Sequence, residues 1–282
     1  MAVGESARGS IRDSASCQVG AGLLADGSPV ATYVRGVCAV WVDGGNASAI
    51  ETAYRIKGSK RGRRPFGVVL SAERLGEMID PNRISPEARS LFLDSAQLSA
   101  RLGSLSFVRY PVQEAVARVL PDAALSRDAQ GSPWLQSWLP EGCETTRVWM
   151  QQINAHDVEL PIVTSMNVSG DPEVVDQDEG ADFCEQHGIP LFLGDPESVK
   201  AVSGSFPIVQ VDGSGISVAR AGHFPSSLFD ILLDEWGVDQ TDVKPASYPV
   251  VETHDQESVA AIPPDELRRQ LIERLDGSYI GG

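Results

Sequence analysis

Three segments of the chain carry side chains that could hold an anionic group. Residues 163–170, VTSMNVSG, place hydroxyl and amide side chains directly after an apolar run, and residues 55–64, RIKGSKRGRR, hold six basic residues and no acid. Arg220 follows a segment of alternating apolar and polar residues. Hydroxyls, arginine and lysine are the groups that proteins use to bind phosphate. The same residues also suit ordinary turns and a solvated loop, so both interpretations stay open here.

The charge of the whole chain limits the possible partners. The sequence has 23 basic and 39 acidic residues, which gives a net charge of −16. A molecule of this charge is not expected to bind polyanions over its whole surface. The basic run at 55–64 therefore needs a local explanation. The candidates are a solvated loop and the binding of a nucleotide polyphosphate, and the second is the more specific hypothesis.

Several other kinds of site are not indicated. The four cysteines and four histidines show no spacing typical of a metal site. The sequence contains neither a G-x-S-x-G nucleophile motif nor a Walker loop. No apolar run approaches the roughly 20 residues that span a bilayer, and the first residues lack the apolar core of a secretory signal. We therefore expect no membrane partner and a cytoplasmic location.

The elements that would position these groups alternate between strands and helices. The continuous apolar run at 37–42 predicts a strand buried on both faces, and the apolar spacing at 47–57 predicts a helix. Further strands are predicted at 65–71 and 160–167, and DGSG at 212–215 indicates a hairpin. The pattern predicts an α/β fold with a mixed sheet.

The central region gives weaker patterns. Residues 85–103 predict one long amphipathic helix, residues 110–120 a helix after Pro111, and residues 145–152, TTRVWMQQ, a strand.

Composition divides the chain into three parts. Residues 1–19 are polar and predict a flexible N-terminal extension, and residues 20–232 carry the α/β pattern. Residues 233–282 are rich in acids and prolines and predict an acidic linker followed by one C-terminal helix.

In order along the chain, IKGSKRGRRP, TSMNVSGDP and SVARAG resemble the elements of the YrdC-like domain, or threonylcarbamoyl-AMP synthase, family. The resemblance covers roughly residues 20–230. It implies a twisted mixed sheet with flanking helices around a concave cleft, and formation of threonylcarbamoyl-adenylate from ATP with Mg²⁺. The implied catalytic residues are Lys57 and Arg61, and the implied nucleotide-binding residues are Thr164, Ser165, Asn167, Ser169 and Arg220, with Gly170 and Gly222 beside them.

The chain departs from the family pattern in three places. The family's opening PTDTVYGL falls on YVRGVCAV, residues 33–40, which lacks the threonines and the aspartate. Ser59 stands where the family has an arginine, so we expect Arg61 or Arg63 to supply that charge. The family's STV falls on residues 206–208, FPI. The resemblance implies an enzyme that forms a carbamoyl- or acyl-adenylate, and these changes indicate a divergent member whose substrate need not be threonine.

Two alternatives remain open at the level of sequence. The fold could be retained without catalysis, to bind another ligand or a protein partner. The second alternative is RNA binding by the basic face, and we rank it last because the basic residues are confined to one short run.

Overall fold

A computed structural model describes residues 6–34, 36–103, 106–141, 143–197 and 204–222. The predicted acidic linker and C-terminal helix at 233–282 lie outside these residues.

The described residues form eleven strands and eight α-helices. The strands are β1 Ala7–Ser10, β2 Val30–Val34, β3 Val37–Asp43, β4 Gly67–Val69, β5 Phe107–Pro111, β6 Leu125–Arg127, β7 Pro133–Trp138, β8 Pro161–Ser165, β9 Leu191–Gly194, β10 Ile208–Asp212 and β11 Gly215–Arg220. The helices are α1 Ser14–Ala25, α2 Ala47–Lys57, α3 Ala72–Met78, α4 Pro86–Phe92, α5 Ser95–Leu102, α6 Glu114–Ala117, α7 Glu144–Ala155 and α8 Gln177–His187. Two short 3₁₀ helices lie at Ser59–Arg61 and Pro81–Arg83.

All eleven strands belong to one mixed sheet. Its order is β1-β9-β2-β3-β8-β4-β7-β5-β10-β11, and β6 pairs with β7 outside this path. β3 lies antiparallel between β2 and β8, with Ala39 opposite Ser165. Every residue of β3 from Val37 to Val42 is buried, as the continuous apolar run predicts.

Helices cover both faces of the sheet. Helices α2 to α6 pack on one face around Val42, Val68 and Tyr110, and α8 packs on that same face beside Val40. Helices α1 and α7 pack on the opposite face, where Trp149 of α7 meets the ring of Trp41 edge-on at 5.7 Å. They cover only part of that face, and the remainder is concave. This arrangement confirms the predicted α/β fold with a twisted mixed sheet, flanking helices and a cleft.

The prediction of a flexible extension over residues 1–19 is wrong for residues 7–19. β1 pairs in parallel with β9, from Ala7 opposite Leu191 to Ser10 opposite Gly194. Helix α1 then begins at Ser14, where the carboxylate of Asp13 accepts a hydrogen bond from the main-chain N–H of Ser16 at 2.8 Å. The segment joins the sheet because backbone pairing and a helix cap do not need an apolar sequence.

Two predictions in the central region also need correction. Residues 145–152 lie in helix α7 rather than in a strand, and the buried Thr146, Trp149 and Ile153 follow the spacing of a helix face. The long helix predicted at 85–103 is two helices, because the Asp94 side chain accepts from the N–H of Gln97 and starts α5.

Candidate functional site

The concave part of the sheet encloses a cavity of about 630 Å³. Its floor is built from alternate residues of several strands, because successive side chains of a strand point to opposite faces. Gly67 of β4 leaves room in this floor for the ring of Phe107, since a Cβ at Gly67 would lie 2.5 Å from that ring. Volumes of this order are typical of sites for small molecules and cofactors, about 300–1,000 Å³.

Arginines dominate the charge of the cavity. Among the residues that the structure describes, five arginines line it together with a single acid, Asp128; the arginines are Arg61, Arg64, Arg109, Arg127 and Arg220. The site therefore carries an excess of four positive charges in a protein whose net charge is −16. Such a concentration of guanidinium groups favours a ligand with several negative charges.

Arg109 projects from the middle of the cavity floor, on β5. Its guanidinium donates to the side-chain oxygen of Gln136 at 2.8 Å, and no ion pair among the described residues involves it. Burial lowers the pKa of Arg109 from its ordinary value. The arginine thus stays desolvated beside a neutral partner, which is the electrostatic state that an anion would relieve.

The basic run forms one wall of the cavity through Arg61 and Arg64. The Arg61 guanidinium stacks over the ring of Phe66 at 4.1 Å and donates to the carbonyl of Pro65 at 2.5 Å. Arg64 donates to the carbonyl of Arg61 at 2.9 Å. Arg63 instead forms an ion pair with Glu51 and is not among the lining residues. Of the two candidates to replace the charge missing at Ser59, Arg61 is the one at the cavity.

The polar segment 164–170 is joined to the end of helix α2 by Lys57. The Lys57 ammonium donates to the carbonyl of Ser165 at 2.8 Å, to its hydroxyl at 3.4 Å and to the side-chain oxygen of Asn167. The carbonyl of Lys57 accepts from the N–H of Ser169 at 2.9 Å. An ammonium has three N–H donors, and these contacts employ all three. Lys57 therefore holds the segment in place and does not itself line the cavity.

The environment of Lys57 lowers its pKa to about 7. Desolvation of its buried side chain is the main cause, repulsion from Arg61 and Arg64 adds to it, and Glu173 opposes it. The arginines that favour an anion in the cavity thus also disfavour the charged form of Lys57.

Strand β3, which carries part of the altered opening motif, lies beside the polar segment 164–170. β3 pairs with β8 so that Ala39 faces Ser165 and Val40 faces Thr164. Val34, Val37 and Ala39 line the cavity, and all three are nearly buried. This end of the site is apolar, whereas the β5 and β11 end carries arginines.

Of the predicted site residues, the structure brings four to the cavity wall: Arg61, Thr164, Ser165 and Arg220. Lys57, Asn167 and Ser169 are not among the lining residues: Lys57 and Asn167 are hydrogen-bonded to Ser165, and Ser169 is hydrogen-bonded to Lys57. Gly170 and Gly222 adopt positive φ angles of 101° and 72°, in turns that follow the strands.

Sequence analysis missed Arg109, Arg127, Trp134 and Gln136. FVRYP and PWLQSW, the segments of β5 and β7, show the two-residue alternation that could have placed Arg109 and Gln136 on one face.

The described residues do not form a complete set of protein ligands for a magnesium ion. No group of three or more potential ligands is found there. Asp128 is the single lining acid, and both its oxygens already accept hydrogen bonds, from the N–H groups of Gln130 and Ser132 and from Trp134 and Arg83. The hydroxyls of Thr164 and Ser165 suit a magnesium ion whose remaining ligands are phosphate and water.

Comparison with solved structures establishes the fold. A double variant of Sua5 from P. abyssi gives a TM-score of 0.61 at 17% identity, over 97% of this chain and 75% of that one. P. abyssi Sua5 complexed with L-threonine gives 0.59 at 14%, over 83% and 59%. Full-length HypF in its phosphate- and nucleotide-bound form gives 0.53 at 20%, over 73% and 24%.

These comparisons show that the chain has a YrdC-like fold, at low sequence identity. No family profile and no curated protein matches the sequence. The chain spans 59% of the threonine-bound Sua5 and 24% of HypF. Within the described residues, no helix is both long and apolar enough to cross a bilayer.

Proposed function

We propose that this YrdC-like domain binds ATP in the arginine-lined cavity and forms a carbamoyl- or acyl-adenylate. The observation that carries the proposal is the convergence of five arginines, with one acid already engaged, on the concave side of the sheet. The reaction joins a carboxylate or carbamate oxygen to the α-phosphorus of ATP and releases pyrophosphate. It requires positioning and neutralisation of charge rather than a covalent nucleophile.

The arrangement suggests a division of roles. Arg61, Arg109 and Arg220 neutralise the phosphates, and Thr164 and Ser165 offer hydroxyls at the end of β8. Lys57 positions these hydroxyls through its contacts with Ser165 and Asn167. Magnesium is taken to enter as the counter-ion of ATP, since Asp128, the one acid among the described lining residues, already accepts hydrogen bonds at both oxygens. The likeness to HypF in its nucleotide-bound form supports a nucleotide ligand.

The substrate that receives the adenylate is proposed to differ from threonine. Sua5 has been solved with L-threonine, but Val34 borders this cavity at a position where the family pattern has a threonine, and Val37 and Ala39 beside it are also apolar. An apolar wall cannot hydrogen-bond a substrate hydroxyl, so threonine would lose that contact here. A cytoplasmic location, where ATP is abundant, remains part of the proposal.

Two measurements on the full chain test the function. Isothermal titration with Mg²⁺-ATP and with pyrophosphate should show binding of both. Pyrophosphate release should then be measured with ATP, bicarbonate and a panel of amino acids and short carboxylic acids, and we expect an apolar member to exceed threonine. Absence of heat and of any thermal shift at millimolar ATP would contradict the proposal.

One observation favours a second candidate, a nucleotide-binding protein without catalysis. The Nζ of Lys57, which the resemblance implies to be catalytic, is hydrogen-bonded to Ser165 and Asn167 within the protein, and Lys57 does not line the cavity. ATP binding without pyrophosphate release across the whole panel would select this candidate.

A further inference from the structure

Trp134 differs from the core tryptophans in its exposure. Trp41 and Trp134 both line the cavity, but Trp41 is 1% exposed whereas Trp134 on β7 is half-buried, and Trp149 behind the sheet is 0% exposed. A partly exposed indole on the wall of an arginine-rich cavity leaves apolar ring surface in contact with water, which costs free energy unless a ligand covers it.

The ring of Trp134 is nevertheless fixed in position. Its indole N–H donates to the Asp128 carboxylate at 3.0 Å, and the Arg83 guanidinium lies 5.4 Å from the ring centroid and donates to the same carboxylate oxygen at 3.1 Å. Asp128 is itself held by the main-chain N–H groups of Gln130 and Ser132, at 3.0 and 2.9 Å. The aromatic surface is therefore preorganised before any ligand arrives, and this reduces the entropy lost on binding.

Groups that can bind the edge of a planar base lie on the same face of the sheet. Gln136 is two residues along β7 from Trp134, about 7 Å away in an extended strand. Gln136, Arg109 and Gln210 lie side by side in register across three strands. The side-chain oxygen of Gln136 accepts from Arg109 at 2.8 Å, and the same amide carries two N–H donors that suit the acceptor atoms on the edge of a nucleobase.

We infer that Trp134 and Gln136 form the subsite for a nucleobase, with the base stacked on the indole and its edge beside the amide. Asp128 and Arg83 act on the ligand through Trp134, as positioning residues. The inference rests on the proposed function, because it assigns one part of the nucleotide to one part of the same cavity. Such a base subsite would make the cavity bind a nucleotide more tightly than a polyphosphate that has no base.

The test is titration of the full chain with Mg²⁺-ATP and with Mg²⁺-tripolyphosphate, which has the phosphates but no base. Wild type should bind ATP more tightly than tripolyphosphate. Trp134→Ala should weaken ATP about 10-fold or more, because stacking of a base on an aromatic ring contributes about 1–3 kcal/mol. The same variant should leave the affinity for tripolyphosphate within twofold of wild type.

Trp134→Phe keeps a ring but loses the indole N–H, so it should retain most of the ATP affinity. If the alanine variant fails to fold, Trp134→Leu, which keeps apolar volume without an aromatic face, provides the test and should show the same selective loss of ATP affinity. Equal weakening of ATP and tripolyphosphate by Trp134→Ala, or unchanged ATP affinity, would overturn the base subsite. Binding of tripolyphosphate as tightly as ATP by wild type would overturn it too, while leaving the anion site intact. Failure of both ligands to bind would remove the proposed function and this subsite together.

Discussion

Burial of Arg109 costs free energy that an anion in the cavity would return. Its guanidinium faces a neutral amide, and its pKa is lowered by desolvation. Binding of an anion beside Arg109 would offset this cost, which is why we expect the residue to contribute to affinity for ATP.

Arg109→Gln should weaken ATP binding by about 10-fold or more, since a hydrogen bond to a charged group contributes about 1.5–3 kcal/mol. The free energy of unfolding should stay unchanged or rise, because a desolvated charge is removed. Isothermal titration and urea unfolding measure the two quantities. Arg147→Gln is the matched control, because Arg147 lies exposed on α7 and pairs with Glu144. Equal ATP affinity in both variants would remove Arg109 from the site.

Lys57 provides a prediction on pH. Its pKa is about 7 in the fold against an ordinary value of 10.5. Between these two values the unfolded chain binds a proton that the folded chain does not hold, so this residue makes stability rise with pH. The slope approaches about 1.4 kcal/mol per pH unit where the two states differ by a full proton.

Lys57→Met removes this dependence and leaves the acceptors on Ser165 and Asn167 without their donor. The variant should be less stable than wild type at about pH 9, and the difference should shrink as the pH falls toward 6. Urea unfolding across this range measures it. A difference between the two proteins that is independent of pH would show that the Lys57 pKa is not lowered.

At the scale of elements, helix α1 contributes to the support of the cavity floor. It packs against α7 on the face that also holds Trp41 and Trp138, and both of these side chains line the cavity. Gly20 lets the two helices approach, because a Cβ there would lie 2.9 Å from the ring of Trp149. Gly22, two residues later on the same helix, has open space around it.

These two glycines give a matched pair of substitutions. Gly20→Ala should lower the free energy of unfolding by about 1–3 kcal/mol through overpacking. Gly22→Ala should raise it by about 0.5–1 kcal/mol, because alanine loses less conformational entropy than glycine in a helix. Urea unfolding measures the change in the free energy of unfolding for each variant. A stabilising effect of both would show that α1 does not pack closely against Trp149.

At the scale of the molecule, the charge is strongly divided. The chain carries a net charge of −16, while the described residues that line the cavity include five arginines and one acid. A small multivalent anion can enter the positive cavity, whereas a long polyanion must also approach the negative remainder of the surface. The distribution favours a nucleotide over a nucleic acid.

Transfer RNA is therefore expected to give no stable complex at about 0.15 M salt, because few phosphates can be neutralised at once. ATP binding should persist under the same conditions and weaken gradually as salt is added. Gel shift and titration on one preparation measure both. A tRNA complex that survives physiological salt would revive the RNA-binding alternative.

Features set by interactions between residues close in sequence were predictable, and features set by residues distant in sequence were missed. The buried strand at 37–42, the helix at 47–57 and the late hairpin were predictable, because periodicity and turn residues are local properties. Strand β1 and the break before α5 were missed. A short polar strand is recognised only by its partner, and an aspartate cap resembles any surface aspartate.

For the site, the residue types and order of the three segments determined by themselves that hydroxyls follow a buried strand and that a basic run follows a helix. Only the tertiary structure decided which of them face the cavity: Arg61 rather than Arg63, and Ser165 rather than Lys57. It also added Arg109 and Trp134, whose importance depends on burial and on partners distant in sequence. The types of side chain in a segment can be read from consecutive residues. Desolvation and the shape of a cavity arise only when strands distant in sequence lie side by side.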